Sequence, residues 1–273
     1  MERDPGSPIG VDVWKTVSMG GDTELFPIDQ YRPDDHVHAY SKKLENLKPK
    51  EYFKEAVELI AQRFGDQTIS LLDVGCANGA FLYFAKGSLN INISAGIDLS
   101  EQLLDIAKDN IPDSNFYQNS FLDTESKTIG KFDVCTCLGT ISIFDDFELT
   151  IRSLLRFVKD NGLLLVLDCV NDYPVDSLMR FKKVTNHPEQ DYWQPGFNIR
   201  SIATYKNILS KIDMSWQASF SEFVMPFTIE ESDDPMRAWT ICTDENEHQL
   251  LIGTGNLLKF KFACISRIVP DND

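Results

Sequence analysis

No apolar run in this 273-residue chain is long enough to cross a bilayer, and the opening MERDPGSPIG lacks the hydrophobic core of a signal peptide. The expectation is therefore a cytoplasmic protein without a membrane partner. Cysteine is sparse and unpatterned: Cys76, Cys135, Cys137, Cys169, Cys242 and Cys264 show no metal-ligand spacing and sit mostly in apolar, strand-like runs. They read as buried thiols of a reducing compartment. Basic stretches are short as well, none exceeding Lys42-Lys43 or the run from Arg180 to Lys183, against a formal net charge of −16. Such a field repels a phosphate backbone, so nucleic acid is not expected as a partner. There is no internal repeat and no low-complexity segment. The length suits either two domains or one α/β domain with insertions.

What is present is organised around Leu71 to Leu82, LLDVGCANGAFL. An apolar strand ends on Asp73, and Gly75, Ala77 and Gly79 open a tight turn into the apolar helix face of Phe81, Leu82, Phe84 and Ala85. A dinucleotide fingerprint would fall on Gly75, Ala77 and Ala80, a degenerate match. Asp73 discriminates further, because a carboxylate at the strand end repels a pyrophosphate and attracts a ligand that carries an ammonium there. S-adenosylmethionine is such a ligand. Asp98, closing the next strand-like run ISAGIDLS, is placed to accept both hydroxyls of a ribose.

With these residues in view, the chain resembles the class I S-adenosylmethionine-dependent methyltransferases. LLDVGCANG resembles the first motif of that family and GIDLS the second. NFYQNSFLD (Asn115 to Asp123) resembles the segment after the third strand, KFDVCTCLGTISIFDD (Lys131 to Asp146) the fourth strand and its loop, and NGLLLVLD (Asn161 to Asp168) the fifth strand. Order and spacing match from about Pro49 to Asp168. The resemblance implies a Rossmann-like, doubly wound α/β fold, with a mostly parallel seven-stranded sheet and an antiparallel C-terminal hairpin. It implies S-adenosyl-L-methionine as cofactor, contacted by Asp73, Gly75, Cys76, Ala77, Gly79, Asp98, Leu99, Ser120, Phe121, Leu138 and Gly139. Ser120 stands where the family often has an acid that bonds the adenine amine, a departure that leaves that contact to Asn119 or a backbone group, with Phe121 against the ring. The loop after the fourth strand lacks the N-P-P-Y or D-P-P-Y form of nucleobase amine methylation, and no Pro-Cys nucleophile is present.

Residues 1–48 form an irregular lead-in with Pro5, Pro8, Pro27 and Pro33, and with Tyr31, His36, His38 and Tyr40 dense enough to suggest a lid. Residues 49–273 form the expected methyltransferase domain. Helical spacing is predicted from Pro49 to Gln62, from Glu101 to Asn110 with Ser100 as N-cap, from Phe147 to Val158 and from Ser201 to Ile212. Asp145 and Asp146 are either a general base or, with the edge, the cap and first turn of the third of these helices. Asp168, Asn171 and Asp172 follow the fifth strand without forming a clear ligand triplet, so no metal is expected. Insertions at 170–198 and 225–256 are expected to form a substrate cap, with Trp193, His187 and Trp239 as acceptor contacts, since ligands lie outside the carboxyl ends of a parallel sheet. FSEFVMPFTIEESDDPMRAWTICT is similar to the C-terminal halves of bacterial methyltransferases acting on polysaccharides and other small molecules. The expected activity is methyl transfer to a small-molecule hydroxyl, a sugar or related metabolite, with His38, His36 and Asp145 as candidate bases. The rivals are a non-catalytic partner subunit of the same fold and an NAD(P)-dependent oxidoreductase.

Overall fold

The computed structural model describes residues 40, 44, 48–123, 129–182, 186, 193–223, 238–244, 247–252 and 259–268, with only the backbone at 181, 238–244, 247–252, 259 and 260. Helix α1 (Glu51–Phe64) leads into β1 (Ile69–Val74), α2 (Ala80–Lys86), β2 (Ile91–Asp98), α3 (Glu101–Asn110), β3 (Asn115–Gln118) and β4 (Phe132–Leu138). A single turn of 3-10 helix (Ile141–Ile143), α4 (Phe147–Leu155) and the long β5 (Val158–Asn171) follow. The two-residue strands β6 (Arg180–Phe181), β7 (Gln194–Pro195) and β8 (Arg200–Ser201) precede α5 (Ile202–Ile212), β9 (Trp216–Glu222), β10 (Ala238–Asp244), β11 (Glu247–Ile252) and β12 (Lys259–Arg267).

The central sheet runs β3-β2-β1-β4-β5-β12-β9, with β8 an eighth strand paired to β5. Strands β1 to β5 are parallel to one another, whereas β12 lies antiparallel between β5 and β9. This is the expected doubly wound sheet with its C-terminal hairpin. Burial of both faces follows from the apolar runs: Leu71, Val134, Leu163, Leu165 and Leu167 face one helical layer, while their neighbours Leu72, Cys135, Leu164 and Val166 face the other. On the first face α1 inserts Phe53, Ala56 and Ile60 at helical spacing. On the second, α4 and α5 contribute Ile151, Leu154, Tyr205, Ile208 and Leu209.

The helices begin where their caps dictate. Ser100 accepts from the Leu103 amide at 3.3 Å, Asp146 from Leu149 at 2.9 Å and Ser201 from Thr204 at 3.1 Å. Helix α1 is shifted by two residues from the sequence expectation, Glu51–Phe64 rather than Pro49 to Gln62, and two further boundaries differ more. Helix α4 stops at Leu155 rather than Val158, and β5 begins at Val158 rather than Leu163, because exposed Lys159, Asp160 and Asn161 interrupt the apolar pattern at the start of that strand. Strands β10 and β11 pair antiparallel, as expected for a hairpin inside the second insertion.

Asp168 sits buried between β5 and α5, accepting from the Tyr205 hydroxyl at 2.8 Å and from the Cys169 amide at 2.8 Å. Burial raises its pKa to about 7, although both hydrogen bonds favour the charged form. A carboxyl raised this way from 3.8 contributes its full stability below that value and loses it as the pH climbs through about 7. The expected result for Tyr205→Phe is a destabilisation larger at pH 8 than at pH 5. A charge-assisted bond costs about 1.5 to 3 kcal/mol to lose and a neutral one about 0.5 to 1.5 kcal/mol. Urea unfolding at the two pH values checks it, and equal losses would show that Asp168 does not change charge between them.

Candidate functional site

The turn after β1 is built from left-handed backbone. Gly75, Ala77 and Gly79 take φ of 74°, 47° and 78°, which folds the chain back over the ends of β1 and β2. The amides of Gly75 and Cys76 donate to the Ile97 carbonyl at 2.8 and 3.1 Å. The Ala77 amide donates to one oxygen of Asp98 at 2.8 Å, and the Ser100 amide to the other at 3.0 Å. Asp98 is thus fixed by two loops at once.

A cleft of about 250 Å³ opens beside it, lined among others by Asp98, Leu99, Asn119, Ser120, Phe121 and Phe197. A smaller lobe of about 90 Å³ adjoins it, with Asp73, Cys76, Tyr52, Phe81 and Leu138 in its wall. Tyr40, Gly75, Ala77, Gly139 and Thr140 line both, so the two lobes form one bent groove across the ends of the parallel strands. That is the switch-point location expected of an open α/β sheet.

The smaller lobe is electrostatically unusual. Asp73 is buried and accepts from the Thr136 hydroxyl at 2.7 Å. Burial pushes its pKa up to about 7; the Thr136 bond opposes the shift and the Asp98 charge adds to it. Burial and then the Asp73 charge raise the Tyr52 phenol to about 12, and its oxygen accepts from Lys50 Nζ at 3.0 Å. Such a lobe disfavours added negative charge on its own groups, and the Lys50 ammonium also stands in its wall.

Asp73, Cys76 and Leu138 line the smaller lobe, Leu99, Ser120, Phe121 and Asp98 the larger, and Gly75, Ala77 and Gly139 both. Gly79 lines neither; it caps α2, and a Cβ there would lie 3.0 Å from Ile111 Cδ1 and 3.3 Å from Ala107 Cβ, so its smallness serves packing against α3. Asp145 is nearly buried in an ion pair with Arg180 and accepts from Asn198 Nδ2 at 2.9 Å, an engagement that suits a scaffold rather than a base. Its neighbour Asp146 takes the cap. His36, His38 and His187 lie outside the described residues. Trp193 is exposed, with Lys182 Nζ 5.6 Å from its ring, and does not line the groove; the side chain of Trp239 in β10 lies outside the description. The residues of the fifth-strand acid cluster have protein partners: Asp168 as above, Asn171 with the Val175 carbonyl and Tyr173 amide, and Asp172 with Lys261 at 2.9 Å. Among the described residues no group of three or more His, Cys, Asp or Glu gathers with metal-binding geometry.

Sequence reasoning missed Phe144 as a wall residue and placed Phe197 only among the aromatics of the first insertion, on the acceptor side. Phe121 meets Phe144 edge to face at 5.1 Å between ring centroids, and Phe197 comes from the first insertion. No local pattern marks either; only the topology brings them together.

The strand order and the groove at its switch point are those of an open α/β ligand-binding fold, with a carboxylate in the wall of each lobe. The family model described as "Methyltransferase domain" matches residues 66–220, and the chain belongs to that family, the class I S-adenosylmethionine-dependent methyltransferases. Among solved structures the chain is similar to a complex of DhpI with S-adenosylhomocysteine, at 13% identity, 86% of this chain, 94% of that one and a TM-score of 0.55. It is also similar to an S-adenosylmethionine-dependent methyltransferase from Clostridium acetobutylicum, at 10% identity, 86% of this chain, 98% of that one and a TM-score of 0.52. Identities this low bear on the fold alone. A curated relative, the ubiquinone biosynthesis O-methyltransferase of Coxiella burnetii, is 29% identical over 97 residues, which are 34% of this chain; the chain spans 41% of that relative's length.

Proposed function

We propose that the chain transfers the methyl group of S-adenosylmethionine to a hydroxyl of a small molecule, a sugar or related metabolite. The observation that carries this is the pairing of Asp73 and Asp98 in the two lobes of one groove. Asp98 would hold the ribose hydroxyls, Asp73 the ammonium, and Leu99, Asn119, Ser120 and Phe121 the adenine. S-adenosylmethionine, when bound, supplies a methyl carbon already activated on a sulfonium sulfur. The residues here therefore have to orient an acceptor and exclude water. A pyrophosphate at the Gly75 turn would meet the Asp73 carboxylate, which weighs against the oxidoreductase reading; Asp98, as a ribose acceptor, fits both ligands. The name of the Coxiella relative supports oxygen as the accepting atom.

Tyr40 lines both lobes, and its carbonyl accepts from Asn78 Nδ2 at 2.7 Å, which supports the lead-in 1–48 as a cover over the groove. Deprotonation of the acceptor falls, in this proposal, to His38, His36 or His187, because the phenol of Tyr52 is raised far above neutral. A cytoplasmic site of action belongs to the same reading and is supported by the free cysteines. No helix among the described residues is long and apolar enough to cross a membrane.

The test is release of S-adenosylhomocysteine from S-adenosylmethionine with a panel of hydroxyl acceptors, run with and without EDTA. Turnover unaffected by EDTA is expected, because Asp168 and Asp172 already have protein partners. Loss on chelation, restored by Mg²⁺, would return them to a ligand set, and turnover only with amines or thiols would overturn the hydroxyl assignment. Affinity for S-adenosylhomocysteine should also depend on pH in a way set by Asp73. Below about 7 the carboxyl is protonated and the ammonium lacks its partner; at alkaline pH the ligand's own α-ammonium, held up by its neighbouring carboxylate, loses its proton. Calorimetric titration across this range should show binding strongest between the two, and Asp73→Asn should remove the rising limb. A flat profile in both proteins would contradict the assignment of Asp73.

A further inference from the structure

The residues that fix the first insertion against the groove are buried and polar, and their bonds converge on one short loop. Asn198 is fully buried; its amide donates to the Ser142 carbonyl at 2.8 Å, and its Nδ2 to the Phe144 carbonyl at 3.2 Å and to Asp145 at 2.9 Å. Its Oδ1 accepts from the Met179 amide at 2.8 Å. Arg200, also buried, donates to the carbonyls of Phe144 and Asp145 at 3.1 and 3.0 Å while lying 5.3 Å over the Phe147 ring. Strand β8 carries this arginine, pairing with Val170 and Asn171 at the end of β5. Gly196 lets the segment lie flat against Met179, where a Cβ would sit 2.9 Å from that side chain.

The loop so held, Ile143 and Phe144, is a wall of the larger lobe, and the residue preceding Asn198 is Phe197, which lines the same lobe while remaining 54% exposed. A half-exposed aromatic on a segment whose next side chain makes three hydrogen bonds has its backbone fixed even though its own side chain packs little. We propose that Asn198 is a positioning residue that sets Phe197 as a wall of the nucleoside half of the groove, so that the first insertion contributes to cofactor affinity as well as to the acceptor side. This rests on the reading of the groove as the cofactor site. It extends to the cofactor side the role of an insertion expected to form a substrate cap.

The experiment is calorimetric titration of the full chain and of Asn198→Ala, Phe197→Ala and the double variant. The probes are S-adenosylhomocysteine and 5′-methylthioadenosine, which keeps the nucleoside half and lacks the amino-acid tail. Each single substitution should weaken both probes by about the same factor, on the order of tenfold, since an aromatic face over a planar ligand contributes on that scale. The double variant should lose little more than either single one, because Asn198 acts through Phe197. Additive losses would overturn the proposal, as would an Asn198→Ala protein with lowered melting temperature but unchanged affinity at 15 °C below it. If Asn198→Ala does not fold, Phe197→Ala still decides: its exposed side chain can be removed without loss of core, and unchanged affinity for both probes would overturn the proposal. Failure of the parent protein to bind either probe would instead sink the cofactor reading itself.

Discussion

Asp98→Ala is expected to weaken S-adenosylhomocysteine binding by about ten- to a hundredfold, the loss of a charge-assisted contact worth on the order of 1.5 to 3 kcal/mol. The carboxylate does two things at once: it is aimed into the larger lobe, and it accepts the amides of Ala77 and Ser100 that shape the loops on either side. Asp98→Asn separates them, since one amide oxygen can still accept a backbone bond while the charge is gone; its loss should be smaller than that of alanine. A second signature distinguishes a lost ligand contact from a collapsed loop. The Asp98 charge helps raise the Asp73 pKa, so in either variant the rising limb of the binding profile should move to lower pH. Calorimetry over a pH series measures both. Unchanged affinity in Asp98→Ala would show that Asp98 is not the ribose ligand.

Gly75→Ala should be more damaging still, because it harms both the fold and the groove. A Cβ at this position would lie 2.3 Å from Thr140 Oγ1 and 2.9 Å from its Cβ and Cγ2, and the backbone φ of 74° disfavours any side chain. Overpacking costs about 1 to 3 kcal/mol and the left-handed conformation about 1 kcal/mol more, while any relief moves Thr140, a residue common to both lobes. The expected outcome is a lower melting temperature together with loss of measurable S-adenosylhomocysteine binding. Adding Thr140→Gly removes the clash and leaves the backbone strain, so the double variant should regain part of the stability. A Gly75→Ala protein that melts and binds like the parent would mean that the turn is looser than these contacts require.

The parts of the site that were legible in the sequence are those set by neighbours in the chain. Strand β1, its turn and α2 announce themselves through the apolar run, the small residues and the helical spacing of Phe81, Leu82 and Ala85, and Ser100 marks the start of α3 by its own chemistry. What was not legible depends on residues far apart. Asp145 resembles a cap or a base until Arg180 and Asn198, 35 and 53 positions on, are seen to occupy it. Gly75 and Gly79 have the same left-handed backbone, yet Gly75 lines the groove and Gly79 packs on Ile111, a difference set by α3 crossing behind the turn. The start of β5 was hidden because an edge of polar residues at Lys159 to Asn161 gives no strand pattern.

Titration of the full chain with S-adenosylhomocysteine and, separately, with NAD tests the central claim most directly. Saturable binding of S-adenosylhomocysteine at one site per chain, and no binding of NAD, is the predicted result. NAD binding without S-adenosylhomocysteine binding would contradict it, and with it the assignment of Asp73 to an ammonium.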